Sequence, residues 1–86
     1  MTELDALKMT DIEETHKYLA KELGFPDYYG NNLDALYDCL TEYCYDSFIV
    51  IKNSDAMKTN LGDYAKKLTK VFFDASKESE MYLILR

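Results

Sequence analysis

The chain has 86 residues, 48% of them hydrophobic and 30% charged, with one proline and three glycines. That makeup suits one folded domain spanning residues 1–86 and excludes both a multi-domain enzyme and a disordered tail. The net charge of −6 argues against a general nucleic-acid binder and for a cationic partner.

Residues 1–7 alternate weakly between polar and apolar and predict a short strand, acidic where a secretory leader would be basic. Thr10-Asp11-Ile12-Glu13 has capping-box spacing, and Ile12, His16, Leu19, Ala20 and Leu23 recur at helical intervals. A helix from about Asp11 to Leu23 follows, stopped by Gly24. Residues 25–30 predict a tight connection with one helical turn opened by Pro26, after which Asn31 or Asn32 caps a second helix reaching roughly Tyr43. Leu33, Leu36 and Leu40 form the apolar stripe of that helix.

Phe48-Ile49-Val50-Ile51 and Met81-Tyr82-Leu83-Ile84-Leu85 are near-continuous apolar runs, the pattern of parallel strands buried on both faces. Neither approaches the roughly 20 residues that a membrane span requires. Between them Tyr64, Leu68, Val71, Phe72 and Ala75 mark a crossover helix from about Gly62 to Lys77, and residues 53–61 hold a short helix or an irregular loop. The chain reads as an α/β domain with a sheet of two or three strands in which helices dominate.

The charge is unevenly placed. Residues 1–21 carry five acids and three lysines, and residues 52–86 carry five acids against six lysines and Arg86, so these two parts cancel. All of the excess lies in residues 22–51, where Glu22, Asp27, Asp34, Asp38, Glu42 and Asp46 have no lysine or arginine among them. Five of the eight tyrosines, Tyr28, Tyr29, Tyr37, Tyr43 and Tyr45, share that stretch. Tyrosine offers large contact area with little rotamer entropy to lose, so acid plus tyrosine suggests a binding surface.

Asp34, Asp38 and Glu42 stand at i, i+4 and i+8 on the second helix, which lines three carboxylates along one face. A solvated helix face and a patch awaiting a cationic partner both fit this pattern. Calcium fits less well, because a straight row on a helix cannot wrap an ion and no calcium-loop motif is present. A hydrolase using Asp34 and Asp38 as an acid–base pair would need a cleft and a raised pKa on one member. His16 lies on the apolar stripe of its helix and reads as a hydrogen-bonded core residue rather than a general base. Two cysteines and one histidine fall short of a zinc site. Cys39 and Cys44, five apart in a helical segment, point to different sides and are expected as reduced thiols, Cys39 as a packing residue. The three glycines are isolated, so no phosphate-cradling loop is present.

The segment Leu23-Gly24-Phe25-Pro26-Asp27-Tyr28-Tyr29-Gly30-Asn31-Asn32-Leu33-Asp34-Ala35-Leu36-Tyr37-Asp38-Cys39-Leu40 resembles the signature of the barstar family, intracellular protein inhibitors of the ribonuclease barnase. His16 and Leu19 before it, and Val71, Phe72 and Ala75 after it, extend the resemblance over nearly the whole chain. The resemblance implies a barstar-like α/β fold, a small three-stranded parallel sheet packed against helices, with the N-terminal strand as the third. It implies no catalytic activity, no cofactor and no metal. The implied partner is a secreted, barnase-like guanyl-specific ribonuclease, bound 1:1 by a cytoplasmic inhibitor, with a monomer favoured for the free protein and neither nucleic acid nor membrane as a ligand. The second helix and its preceding loop would plug the nuclease active site, with Asp38 in the place of a substrate phosphate. Tyr28, Asn32, Leu33 and Asp34 would also contact the enzyme, with Tyr37 and Tyr43 at positions where the family has tryptophan. Asp74 and Glu78 match two glutamates that add to the acidic surface. Glu42 stands where the family has glycine, which implies either a clash or a reach to a basic group on a different nuclease. The abbreviated first strand raises edge-to-edge pairing as another outcome. A non-inhibitory acidic interaction module of the same fold, binding some other basic protein, is the alternative function.

Overall fold

The computed structural model describes all 86 residues. In chain order it comprises β1 (Thr2–Asp5), a 3-10 turn (Ala6–Lys8), α1 (Ile12–Leu23), α2 (Leu33–Tyr43), β2 (Phe48–Lys52), α3 (Asp55–Leu61), α4 (Asp63–Ser79) and β3 (Tyr82–Leu85). The strands form one parallel sheet in the order β1-β2-β3, with Thr2 opposite Ile49 and Phe48 opposite Tyr82. This is the barstar-like α/β architecture expected from the sequence, N-terminal strand included.

Parallel neighbours need crossovers, and here α1 and α2 lead from β1 to β2 while α3 and α4 lead from β2 to β3. Both crossovers step the same way across the sheet, and right-handed connections of that kind lay their helices on one face. Burial agrees with this. Leu4, Ile49 and Ile51 are sealed in the core with Leu19, Leu36, Leu40, Leu68 and Phe72, whereas Phe48, Tyr82 and Ile84 are 40%, 65% and 44% exposed. The expectation that both apolar runs are buried on both faces therefore holds only for Ile49, Val50 and Ile51 of β2, since Phe48 at the start of that run is exposed. β3 is an edge strand in which exposed and half-buried residues alternate.

Local chemistry sets the helix ends. Asp11, not Thr10, caps α1: its extended backbone lets the carboxylate accept from the Glu14 N–H at 2.7 Å, one residue later than the predicted box. Gly24 closes α1 in the left-handed region at φ 70°. The 25–30 connection holds one hydrogen-bonded turn, with Tyr29 N–H donating to the Pro26 carbonyl at 3.0 Å, rather than a helical turn. Residues 53–61 resolve into α3, and Gly62, at φ 60°, ψ −133°, turns the chain into α4.

Cys39 and Cys44 are free thiols, but they do not point to different sides. α2 ends at Tyr43, and both sulfurs lie in the same core. Burial pushes the Cys44 thiol up to about 11 and raises that of Cys39, which keeps both protonated and unreactive at neutral pH.

His16 is fully buried, with Nδ1 2.6 Å from the Tyr29 hydroxyl and Nε2 2.7 Å from the Tyr64 hydroxyl. In the neutral ring one nitrogen donates and the other accepts, so the two phenols take complementary roles. The triad ties α1 to the 25–30 connection and to α4. Burial disfavours the imidazolium and lowers the folded-state pKa of His16 below its ordinary value. As pH falls below about 6.5 the unfolded chain takes up this proton before the folded one does, so stability is greatest above that pH and declines toward the lower folded value. Urea unfolding at pH 7 and pH 5 should show this decline, and His16→Gln should flatten it. An equal decline in the variant would assign the pH dependence to other groups.

Candidate partner-binding surface

α2 begins where Asn32, in extended conformation, turns its side-chain oxygen onto the Ala35 N–H at 2.8 Å. Its Nδ2 donates to the Gly30 carbonyl at 3.3 Å, and Asn31 before it adopts φ 54°. The amide of Asn32 is thus engaged in shaping the loop-to-helix junction. The inner side of α2 buries Leu36 and Leu40 completely and Cys39 to 7% exposure, against α4 and within the common core. Leu33 and Tyr37 are half-buried at its flanks.

On the outer side Asp34, Asp38 and Glu42 are all exposed. None of the five ion pairs in the structure involves any of them. The last turn of α2 contains no basic residue, so Glu42 lies unopposed at the negative end of the helix macrodipole. Thr41 donates its hydroxyl to the carbonyls of Tyr37 and Asp38, at 3.0 Å each, and leaves the carboxylates untouched.

Two tyrosines border this row. Tyr28, 79% exposed on the connection, places its hydroxyl 3.0 Å from that of Tyr43 in the last turn of α2. This contact fixes the loop against the helix. The hydrogen bond with Tyr28, aided by partial desolvation and the nearby Glu42 carboxylate, pushes the Tyr43 phenol up to about 12. The pairing of Tyr28 with Tyr43 is not evident from their separation of 15 residues in the chain.

α4 carries the other two predicted contact residues and packs against α2. Asp74 is half-buried and accepts from Lys70 Nζ at 2.8 Å, which offsets its charge, whereas Glu78 one turn on is exposed and unpaired. The sequence reading missed the Lys70 pair, although its i, i+4 spacing was available to find it. The structure therefore groups Asp34, Asp38, Glu42, Tyr28 and Tyr43 on α2 and its preceding loop, with Glu78 on the adjoining helix.

The shape of this surface limits its chemistry. None of the grooves on the molecule includes Asp34, Asp38 or Glu42; one, of about 510 Å³, lies between α3 and α4 under Lys58, Lys66 and Lys70. The acids stand on a ridge. A ridge offers no enclosed water and no desolvated carboxylate for acid–base catalysis, but it can enter a partner's cavity. No three His, Cys, Asp or Glu side chains converge to hold a metal ion, and no helix is long and apolar enough to cross a membrane.

Comparison with known proteins converges on one group. Residues 1–84 match the family model described as "Barstar (barnase inhibitor)". A Bacillus subtilis (strain 168) protein named "Putative ribonuclease inhibitor YrdF" is 42% identical over 76 residues, which cover 87% of this chain and 84% of that protein.

The tyrosine contact predicts a spectroscopic signature. In a residue-resolved NMR titration of the tyrosine rings, Tyr28→Phe should move the ionisation of Tyr43 from about 12 toward the ordinary phenol range, because the largest cause of the elevation is removed. An unchanged titration would show that the loop is not held on α2 by this bond.

Proposed function

This chain belongs to the barstar family, and on that premise we propose that it inhibits a secreted, barnase-like guanyl-specific ribonuclease by inserting α2 and the 25–30 connection into the enzyme's active site. The family description and the name of the Bacillus relative both concern ribonuclease inhibition, and members so described are inhibitors, not enzymes. The observation that carries the mechanism is the unpaired ridge of Asp34, Asp38 and Glu42.

A ribonuclease must stabilise a phosphate in flight, so its active site is a concavity lined by arginine, lysine and histidine. The ridge is complementary to it in shape and in sign. Asp38 lies at the middle of the row, with Asp34 one turn before and Glu42 one turn after, so it enters deepest. There it accepts charge-assisted hydrogen bonds from cations otherwise used on phosphate. These bonds form where water is excluded, and they dominate the lifetime of the complex. Glu42, at the end of the row, mainly speeds encounter through the acidic field of residues 22–51. Tyr28 and Tyr43, locked together, give a rigid aromatic rim with little entropy left to lose. Leu33 and Tyr37 flank the row, and Asn32 acts by fixing the junction from which the helix projects. Asp74 contributes less than Glu78, because Lys70 already holds it. No cofactor or covalent step is involved. The inhibitor works in the cytoplasm of the cell that makes the nuclease, one molecule per enzyme.

Isothermal titration into a catalytically disabled barnase-like ribonuclease tests this. Tight 1:1 binding that weakens as salt rises is expected, with Asp38→Ala costing about 2–5 kcal/mol, the range for truncating one partner of a buried charge pair. Glu42→Ala, at the rim, should cost less than about 1 kcal/mol. Equal losses from the two variants would contradict the central role of Asp38, and no binding at either salt would contradict the partner.

A further inference from the structure

The sheet turns its second face away from every helix. Strand register sets Phe48 beside Tyr82, then Glu3 beside Val50 and Ile84, then Asp5 beside Lys52 on that face, and Met1 before β1 and Arg86 after β3 continue the first and third rows. The first row and Ile84 are open to solvent, and the Phe48 and Tyr82 rings stack with centroids 6.1 Å apart. Val50 is only 4% exposed although it lies outside the helix-covered core. Its cover is electrostatic: Arg86 reaches Glu3 at 2.8 Å, across β2, and Lys52 joins Glu3 at 3.5 Å. The face thus has an apolar end and a charged end. Its two acids balance its two bases, in a chain whose net −6 lies wholly within residues 22–51.

We infer that this outward face is a self-association surface, on which two copies stack their sheets about a two-fold axis parallel to the strands. Only in-plane axes bring the two faces together. An axis across the strands would press the apolar row of one copy onto the charged row of the other. An axis along the strands sets apolar row on apolar row, β1 over β3 and β2 over β2. Met1 then meets the second copy's Tyr82, and Phe48 meets its own counterpart. Glu3 lies one pleat step from the Arg86 of the second copy, so the pair that covers Val50 within each chain can also form between chains. Lys52 faces its counterpart with its charge already held by Glu3.

Aligned sheet stacking of this kind places the layers about 10 Å apart. Three strands about 4.8 Å apart and five residues long give a footprint of roughly 240 Å², below the size of stable interfaces, so the dimer is weak and concentration-dependent. The acidic ridge belongs to the helical layer behind the sheet, so a dimer presents two free ridges. The inference does not rest on what the ridge binds.

Sedimentation equilibrium from micromolar to millimolar protein, at moderate salt, gives the test. The average mass should rise from 10.0 kDa toward twice that value. Tyr82→Lys, and independently Ile84→Lys, should weaken association about tenfold or more, as expected when a charge replaces an apolar contact in a small interface, with the fold checked by circular dichroism. The charge pair tests the arrangement itself. Glu3→Arg and Arg86→Glu should each weaken self-association, because like charges then meet across the axis. Mixing the two variants should restore it, because each supplies the sign the other lacks. A mass constant at 10.0 kDa up to millimolar concentration overturns the inference. So does association that survives both lysine variants, which would indicate edge-to-edge pairing instead, and so does a mixture that associates no better than its components.

Discussion

The acidic ridge depends on what lies behind it. Three like charges at i, i+4 and i+8 cost a helix a few tenths of a kcal/mol per neighbouring pair, and Glu42 also sits at the unfavourable end of the macrodipole. Burying Leu36 and Leu40 completely contributes about 1.5–3 kcal/mol each. The inner face thus outweighs the self-repulsion of the outer one, with Cys39 adding to the same packing. The helix can hold its carboxylates unpaired because its place in the fold does not rely on them. The unpaired state matters, since a carboxylate whose charge a lysine already offsets, as with Asp74, attracts a further cation less strongly.

The second constraint is topological. Two crossovers that step the same way gather α1 to α4 into one layer, leaving the sheet half covered. The molecule therefore has two independent surfaces with the core between them: an anionic convex one on the helices and a neutral, partly apolar one on the sheet. The His16 triad secures the first at a distance from the acids. Tyr29 follows Tyr28 directly, so anchoring its hydroxyl on His16 holds the base of the loop while Tyr28 clasps Tyr43 at the tip.

The fold was legible in the sequence wherever periodicity was strong. The helices α1, α2 and α4 and the strands β2 and β3 lie close to their expected places, but Ile12, expected on the apolar stripe of α1, is 46% exposed at its first turn. The misses came from choices that depend on tertiary context. Thr10 and Asp11 are both good caps with a glutamate three residues on, so the sequence does not separate them, and in the structure it is Asp11 that takes the Glu14 N–H. An apolar run does not reveal whether a strand is central or at an edge, so the pattern alone predicts β3 as buried on both sides. Cys44 is buried because it continues the Leu36 and Leu40 stripe at i+4, its N–H still bonded to the Leu40 carbonyl at 3.1 Å, so five-residue spacing from Cys39 does not separate the two thiols. The acid row was readable from i, i+4 spacing and from the missing lysines. The tyrosine partners of His16 were not, because Tyr64 lies 48 residues away and comes close only when α4 docks.

On the proposed reading, the ridge requires a basic concavity able to accept it. The most direct measurement is a titration of inhibitor into an active barnase-like ribonuclease, with RNA cleavage as the readout. Activity that falls linearly and vanishes at one equivalent is the predicted result. Full activity in the presence of a large excess of inhibitor would contradict the account.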